Sequence, residues 1–100
     1  MVFVQAHYHE EISLKTMSAV FDVNAAYLGR LLKSETGEMF SDYLNRIRVE
    51  KATEFLMETS KKASQISRLV GFYDPNYFYK VFKKYTGLSP TEYRNLNRGS

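Results

Sequence analysis

The stretch GFYDPNYFYKVFKKYTGLSPTEYR, Gly71 to Arg94, decides how this chain is read. Its first fifteen residues hold four tyrosines, three phenylalanines and three lysines, a mixture odd for a plain core helix or a plain surface helix. The punctuation explains it. Asp74-Pro75 pairs a cap residue with proline at the first helical position, where a missing N–H is harmless. Gly87 supplies the left-handed residue on which helices commonly stop. Ser89-Pro90-Thr91-Glu92 is a capping box that starts another short helix. On a helix begun at Pro75, Phe78, Val81, Phe82 and Tyr85 share one side and form a core face, with Tyr77 at its edge. The opposite side presents Asn76, Tyr79, Lys80 and Lys83.

The pattern recurs earlier in the chain. At an offset of fifty, Tyr27, Lys33, Thr36, Gly37, Tyr43 and Asn45 match Tyr77, Lys83, Thr86, Gly87, Tyr93 and Asn95. Upstream of the turn the offset is one less: Met17 meets Ile66, Ser18 meets Ser67, Phe21 meets Val70 and Asp22 meets Gly71. Each copy reads as a short helix, a tight turn, a longer helix and a glycine stop, which is a helix-turn-helix unit. In the first copy Ser13 is the expected cap, Asp22 takes the left-handed turn position, and Asn24 caps the second helix. Tyr27, Leu28, Leu31 and Leu32 are its expected inward side. An amphipathic helix from about Met39 to Thr59 follows, and a cap near Ser60 opens the helix carrying Ala63, Ile66 and Val70. No strand signal interrupts this. The expectation is an all-α fold of about seven helices: helix-turn-helix units at about 8–37 and 60–95, joined by a linker helix at about 39–59. A helix of about 20 residues is roughly 30 Å long, close to the 34–36 Å between equivalent major grooves on one face of DNA.

Composition bounds the function. A chain of 100 residues, 44% of them hydrophobic, is one small folded domain. The absence of cysteine excludes disulfides, thiolate nucleophiles and Cys-based zinc sites. No apolar run reaches membrane-spanning length, and MVFVQAHYHEE turns polar too soon for a secretory signal, so a cytoplasmic chain is the simplest reading. Residues 1–60 carry six Lys/Arg against nine Asp/Glu, whereas residues 61–100 carry eight against two. The basic second part points to a polyanionic partner. His7 and His9, with Glu10 and Glu11, are the sole metal candidates, yet residues two apart on a helix do not face one another. Without a Ser/His/Asp set or a phosphate-cradling glycine loop, the chain is expected to be no enzyme and to need neither cofactor nor metal.

Gly71-Phe72, Asp74-Pro75, Tyr77-Phe78, Phe82-Lys83, Gly87, Ser89-Pro90 and Tyr93-Arg94 resemble the signature of the AraC/XylS-type transcriptional regulators. Leu28, Lys33, Thr36-Gly37 and Tyr43-Leu44 resemble the first half of that family's DNA-binding domain. Arg48, Ala52 and Phe55-Leu56 resemble its linker helix. The likeness covers roughly residues 8–95, and residues 1–100 are taken as a single AraC-type domain. It implies sequence-specific DNA binding for transcription regulation, with recognition helices at about 24–36 and 74–86 in successive major grooves. Base-reading positions are then Ala26, Gly29, Arg30, Asn76, Tyr79 and Lys80. Arg30 and Lys80 suit guanine, and Asn76 suits adenine. Phosphate contacts fall to Asn24, Lys33, Asp74, Lys83 and Lys84, through side chains or helix-start amides. Lys61, Lys62, Arg94 and Arg98 add to the positive field. A glycine at position 29 costs about 1 kcal/mol relative to alanine, and either a close approach to the groove or drift accounts for it.

Two departures stand out. The family usually has alanine where Ser18 and Ser67 stand, and each hydroxyl is expected to bond back to a carbonyl one turn earlier. Met1 to Tyr8 resembles the tail of a first helix cut short, and YHEEISL is similar to response regulators whose phosphoacceptor domain comes first. The resemblance therefore implies a preceding receiver, sensing or dimerisation domain, contact with RNA polymerase, and an isolated domain that binds double-stranded DNA weakly as a monomer. A helical protein-interaction module is the alternative. It predicts an exposed apolar patch on the 74–86 helix and no salt-sensitive DNA affinity.

Overall fold

Seven helices follow one another in the computed structural model, which describes residues 2–98 apart from the Arg98 side chain. They are α1 (Val2–His7), α2 (Leu14–Phe21), α3 (Ala25–Thr36), α4 (Phe40–Glu58), α5 (Ala63–Leu69), α6 (Pro75–Thr86) and α7 (Pro90–Arg98). There is no strand among the described residues. Met1, the Arg98 side chain and Gly99-Ser100 lie outside the description, and with them the contribution expected of Arg98.

Local chemistry sets the helix boundaries. Ser13 Oγ accepts from the Thr16 amide at 3.2 Å, and Thr16 Oγ1 accepts in return from the Ser13 amide at 2.8 Å. Asn24 Oδ1 takes the amides of Ala26 and Tyr27, and Asp74 Oδ1 takes that of Asn76. The turns repeat as the offsets require. Asp22 (φ 55°) and Gly71 (φ 103°) are the positive-φ residues of the two turns between the first and second helix of each unit. The amides of Val23 and Phe72 reach back to Ser18 and Ser67 at 3.0 and 2.9 Å. Gly37 and Gly87 close α3 and α6 at φ 78° and 81°. Beside each, a threonine hydroxyl (Thr36, Thr86) bonds the carbonyl four residues back.

Two expected details are corrected. α5 does not start near Ser60. Thr59 bonds back to the Phe55 carbonyl and takes the Lys61 amide, which finishes α4. Lys62 then becomes the N-cap of α5, its amide held by Gln65 Oε1 at 3.0 Å. Ser18 bonds back to Lys15 as foreseen, but the buried Ser67 hydroxyl turns forward, to the Phe72 carbonyl at 3.2 Å.

The apolar residues form two cores strung along α4. Val4, Met17, Leu28 and Leu32 gather against Phe40, Tyr43, Leu44 and Ile47. Ile66, Val70, Phe72, Phe78, Val81 and Phe82 gather against Val49, Ala52 and Leu56. At 3.6 residues per turn these two sets of α4 residues lie on nearly opposite sides of the helix. The linker helix is therefore not amphipathic in the simple one-faced sense expected. It buries one side in its first half and the other in its second, and so becomes the shared wall of both cores. The molecule is a rod, 48 × 22 × 22 Å.

Two arginines lock α4 in place. Arg94 donates from Nε to the Leu56 carbonyl at 3.0 Å and from a terminal nitrogen to the Thr59 carbonyl at 3.1 Å, filling the vacant acceptors at the helix end. Arg94→Ala is expected to lower stability by about 2 kcal/mol, because half-buried charge-assisted bonds are lost; the midpoint of urea unfolding measures it. Arg48 donates at 2.8 and 2.9 Å to the carbonyls of Tyr8 and Glu10, in the segment between α1 and α2. Its guanidinium also lies over the Phe72 ring, 5.6 Å from the centroid. Burial pulls the Arg48 pKa below the usual value, though a guanidinium remains cationic at any working pH.

Candidate nucleic-acid interface

A protein that binds a polyanion needs exposed cations that are not already neutralised by partners of their own. On α6, Leu28's counterpart Phe78 and the neighbouring Val81 and Phe82 are buried, which turns Asn76, Lys80 and Lys83 outward on a helix anchored by its aromatics. Tyr79 stands on the flank, partly exposed and packed against the Phe78 ring. On α3, burial of Leu28 and Leu32 turns Ala26, Arg30 and Lys33 outward in the same way. Asn24, Asp74 and Lys84 are exposed as well. The side chains of Asn24 and Asp74 are occupied with capping, so their part at an anion falls to the amides of the helix start.

Gly29 is only partly exposed, and a Cβ there would sit 3.2 Å from Leu14 Cδ1. An alanine there would press on the Leu14 side-chain end between α2 and α3, which would have to give by a few tenths of an ångström. Tyr27 and Leu31, expected on the inward side of α3, are 51% and 39% exposed. They lie beyond the arc that α2 and α4 cover.

The remaining cations are divided between field and structure. Arg46 is clamped at 2.9 Å to both Glu38 and Glu50, and the Glu38 bond leads in raising its pKa. Lys51 lies 3.6 Å from Glu54. Arg94, counted with the field from sequence, is committed to the end of α4. Lys61 and Lys62 remain exposed. His7 Nδ1 meets Glu10 at 2.5 Å, and among the described residues no three His, Asp or Glu side chains group as for a metal.

Sequence reasoning missed what lies between the two exposed faces. A groove beside α3, lined by Ala26, Arg30, Lys33, Met39 and Phe40, runs into a second lined by Met39, Phe40, Ser41, Asn45 and Tyr77. That one continues into a third, bounded by Asn45, Tyr77, Lys80 and Lys84. Because each groove shares walls with the next, Arg30 and Lys33 of α3 and Lys80 and Lys84 of α6 border one continuous run of grooves. Asn45 bridges the seam, donating to the Tyr77 hydroxyl at 3.1 Å, while Tyr85 donates to the Asp42 carbonyl at 3.2 Å. Burial raises the Tyr85 pKa above the usual phenol range, so it stays a donor. Ser41, Asn45 and Arg48, spaced four and three apart, form a polar stripe on α4 that was the available signal.

This architecture, two repeated helix-turn-helix units on a shared helix, is that of a bipartite helix-turn-helix protein. Residues 17–96 match the model of a helix-turn-helix domain family, and the chain belongs to that family, in its AraC-type branch. It is 46% identical over 80 residues to the uncharacterized transcriptional regulatory protein YesN of Bacillus subtilis, which covers 78% of this chain. It spans 22% and 33% of the length of two such curated relatives. The C-terminal domain of AraT, a response regulator from Geobacillus stearothermophilus, superposes with a TM-score of 0.91 at 35% identity, over 94% of this chain and 78% of that one. The DNA-binding domain of AdpA, solved with a target DNA, has the same fold: TM-score 0.93 at 24% identity, covering 98% and 88% of the two chains. No helix among the described residues is long and apolar enough to cross a membrane.

Proposed function

We propose that this chain is a sequence-specific DNA-binding domain of a transcription regulator, with α3 and α6 entering successive major grooves of one duplex. The observation that carries the reading is the continuous run of grooves bordered by Arg30 and Lys33 of α3 and by Lys80 and Lys84 of α6, on a rod 48 Å long. Equivalent major grooves recur about every 34–36 Å, so two readers fit along that length. The family, and the names of its regulator relatives, support the same reading. Residues 1–100 act as one domain that performs no catalysis, in the cytoplasm where bacterial DNA lies. In the longer protein a receiver, sensing or dimerisation domain precedes it, and RNA polymerase is its second partner.

Ala26, Gly29, Arg30, Asn76, Tyr79 and Lys80 face the base edges in this reading. Asn24, Lys33, Asp74, Lys83 and Lys84 face the phosphates. A site selected from random sequence by this chain provides the test. On it, Arg30→Ala and Lys80→Ala are each expected to weaken specific binding by about 1–3 kcal/mol and relax the preference at one position. Lys83→Ala weakens all sequences alike, as a phosphate contact does. Wild-type affinity in all three variants would remove the face assignment. The alternative of a protein-interaction module places its apolar patch on α6, where the outward residues are Asn76, Lys80, Lys83 and Lys84 with Tyr77 and Tyr79 half exposed.

A further inference from the structure

The groove beside α3 ends in a hollow with an apolar lining. Leu14, Ala25, Ala26, Gly29, Met39 and Phe40 wall it, Arg30 and Lys33 stand at its rim, and it holds about 270 Å³ of space. No carboxylate lines it, and neither cation is in a salt bridge among the described residues. Gly29 leaves Leu14 as the floor, since a Cβ at position 29 would stand 3.2 Å from Leu14 Cδ1. The internal repeat shows what the hollow replaces. In the second unit the counterparts of Leu14, Ala26, Gly29 and Met39 are Ala63, Asn76, Tyr79 and Ser89. Tyr79 sets a ring against Phe78, centroids 5.9 Å apart, where Gly29 has no side chain. Ser89 Oγ accepts the Glu92 amide at the start of α7, whereas Met39, the N-cap of α4, makes no side-chain cap bond and is 58% exposed. Methionine is a poor cap, so the stability of α4 does not explain its presence.

We propose that this hollow receives the C5-methyl group of a thymine, so that the first unit recognises an A·T pair by apolar contact while the second reads through Asn76, Tyr79 and Lys80. The inference rests on the DNA-binding reading and names part of the sequence read. Thymine alone among the four bases presents a methyl group in the major groove. The rim selects DNA over an apolar protein side chain: Arg30 and Lys33 call for anions beside the methyl, and phosphates flank every base. Size agrees. The hollow is smaller than the roughly 300–1,000 Å³ of small-molecule sites, yet a methyl group needs only about one water's share, about 30 Å³, which leaves room for the base edge. Ala26 and Arg30, four residues apart, are separated by about 5–6 Å, and successive base pairs by about 3.4 Å. The thymine therefore falls within about two base pairs of the position Arg30 reads.

Deoxyuridine lacks only that methyl group, and the test puts it in place of each thymine of the selected site in turn. Near the position that Arg30→Ala relaxes, one replacement is expected to weaken binding about fourfold, the worth of one buried methyl group. Met39→Ser restores the cap residue of the second unit. It should leave Tm unchanged or raised, because serine caps better than methionine, while erasing the fourfold difference. Ala26→Asn, at an exposed position, should erase it too. A selected site with no thymine in that span, or specific binding indifferent to every thymine methyl, overturns the proposal and leaves the hollow to a protein side chain. A difference that persists undiminished in both variants also overturns it, by placing the methyl against other residues. Absence of salt-sensitive binding to any duplex is a separate failure, which removes the DNA-binding reading and the proposal with it.

Discussion

Gly71→Ala is expected to destabilise the domain by about 3 kcal/mol or more, against about 1 kcal/mol for Gly87→Ala. Both glycines have positive φ, 103° and 81°, so both substitutions carry backbone strain. They differ in what a methyl group would meet. At Gly87 nothing lies within 4 Å of it. At Gly71 it would sit 2.8 Å from Arg48 Nε and 2.9 Å from the Tyr8 carbonyl oxygen, which are bonded to each other at 2.8 Å. Relief requires moving the α1–α2 segment or breaking the Arg48 bonds, and a half-buried guanidinium that loses such bonds costs about 2 kcal/mol. Arg48→Ala should therefore be costly alone, and less than additive with Gly71→Ala, because both act on one contact. Denaturant midpoints at constant m-value measure the series. Equal losses at positions 71 and 87 would show that the junction tolerates the methyl group.

Binding to the selected DNA site is expected to fall by about 10³-fold between 50 and 200 mM salt, since neutralising about six phosphates gives a slope of log K on log salt near −5. The cations available for this are Arg30 on α3 with Lys33, and Lys80, Lys83 and Lys84 on α6, all exposed and none in a salt bridge among the described residues. Helix-start amides at α3 and α6 add further contacts. Arg46 and Arg94 are excluded, because each is held by partners within the fold. Replacing Lys83 and Lys84 together by alanine should reduce the slope by about 2 units. Filter-binding or anisotropy titrations across the salt range read it directly. A flat response would contradict DNA binding as the domain's function.

The sequence carried the helices because their start and stop signals are local. Ser13, Asn24, Asp74 and Ser89 cap with their own side chains, and Gly37 and Gly87 stop with their own backbones, so no distant residue is needed to read them. The fifty-residue repeat then carried the topology, since two copies of one unit must pack alike. α5 was the exception. Its start depends on Thr59 being consumed by α4, a choice between neighbours that a lone cap residue does not reveal.

Periodicity also determined that Ala26, Arg30, Lys33, Asn76, Lys80 and Lys83 are exposed, because burying Leu28, Leu32, Phe78 and Phe82 turns them outward, but it placed Tyr27 and Leu31 inside, where the structure leaves them exposed. Tertiary structure alone decided how those faces relate. The two-sided use of α4, with Phe40 to Ile47 buried on one side and Val49 to Leu56 on the other, makes it the shared wall of both units, and no helical period announces it. It also decided which arginines are free, since Arg48 and Arg94 find carbonyls about forty residues away in the chain. Local rules fix what a segment becomes, whereas partners far apart in sequence are known once the chain has closed on itself.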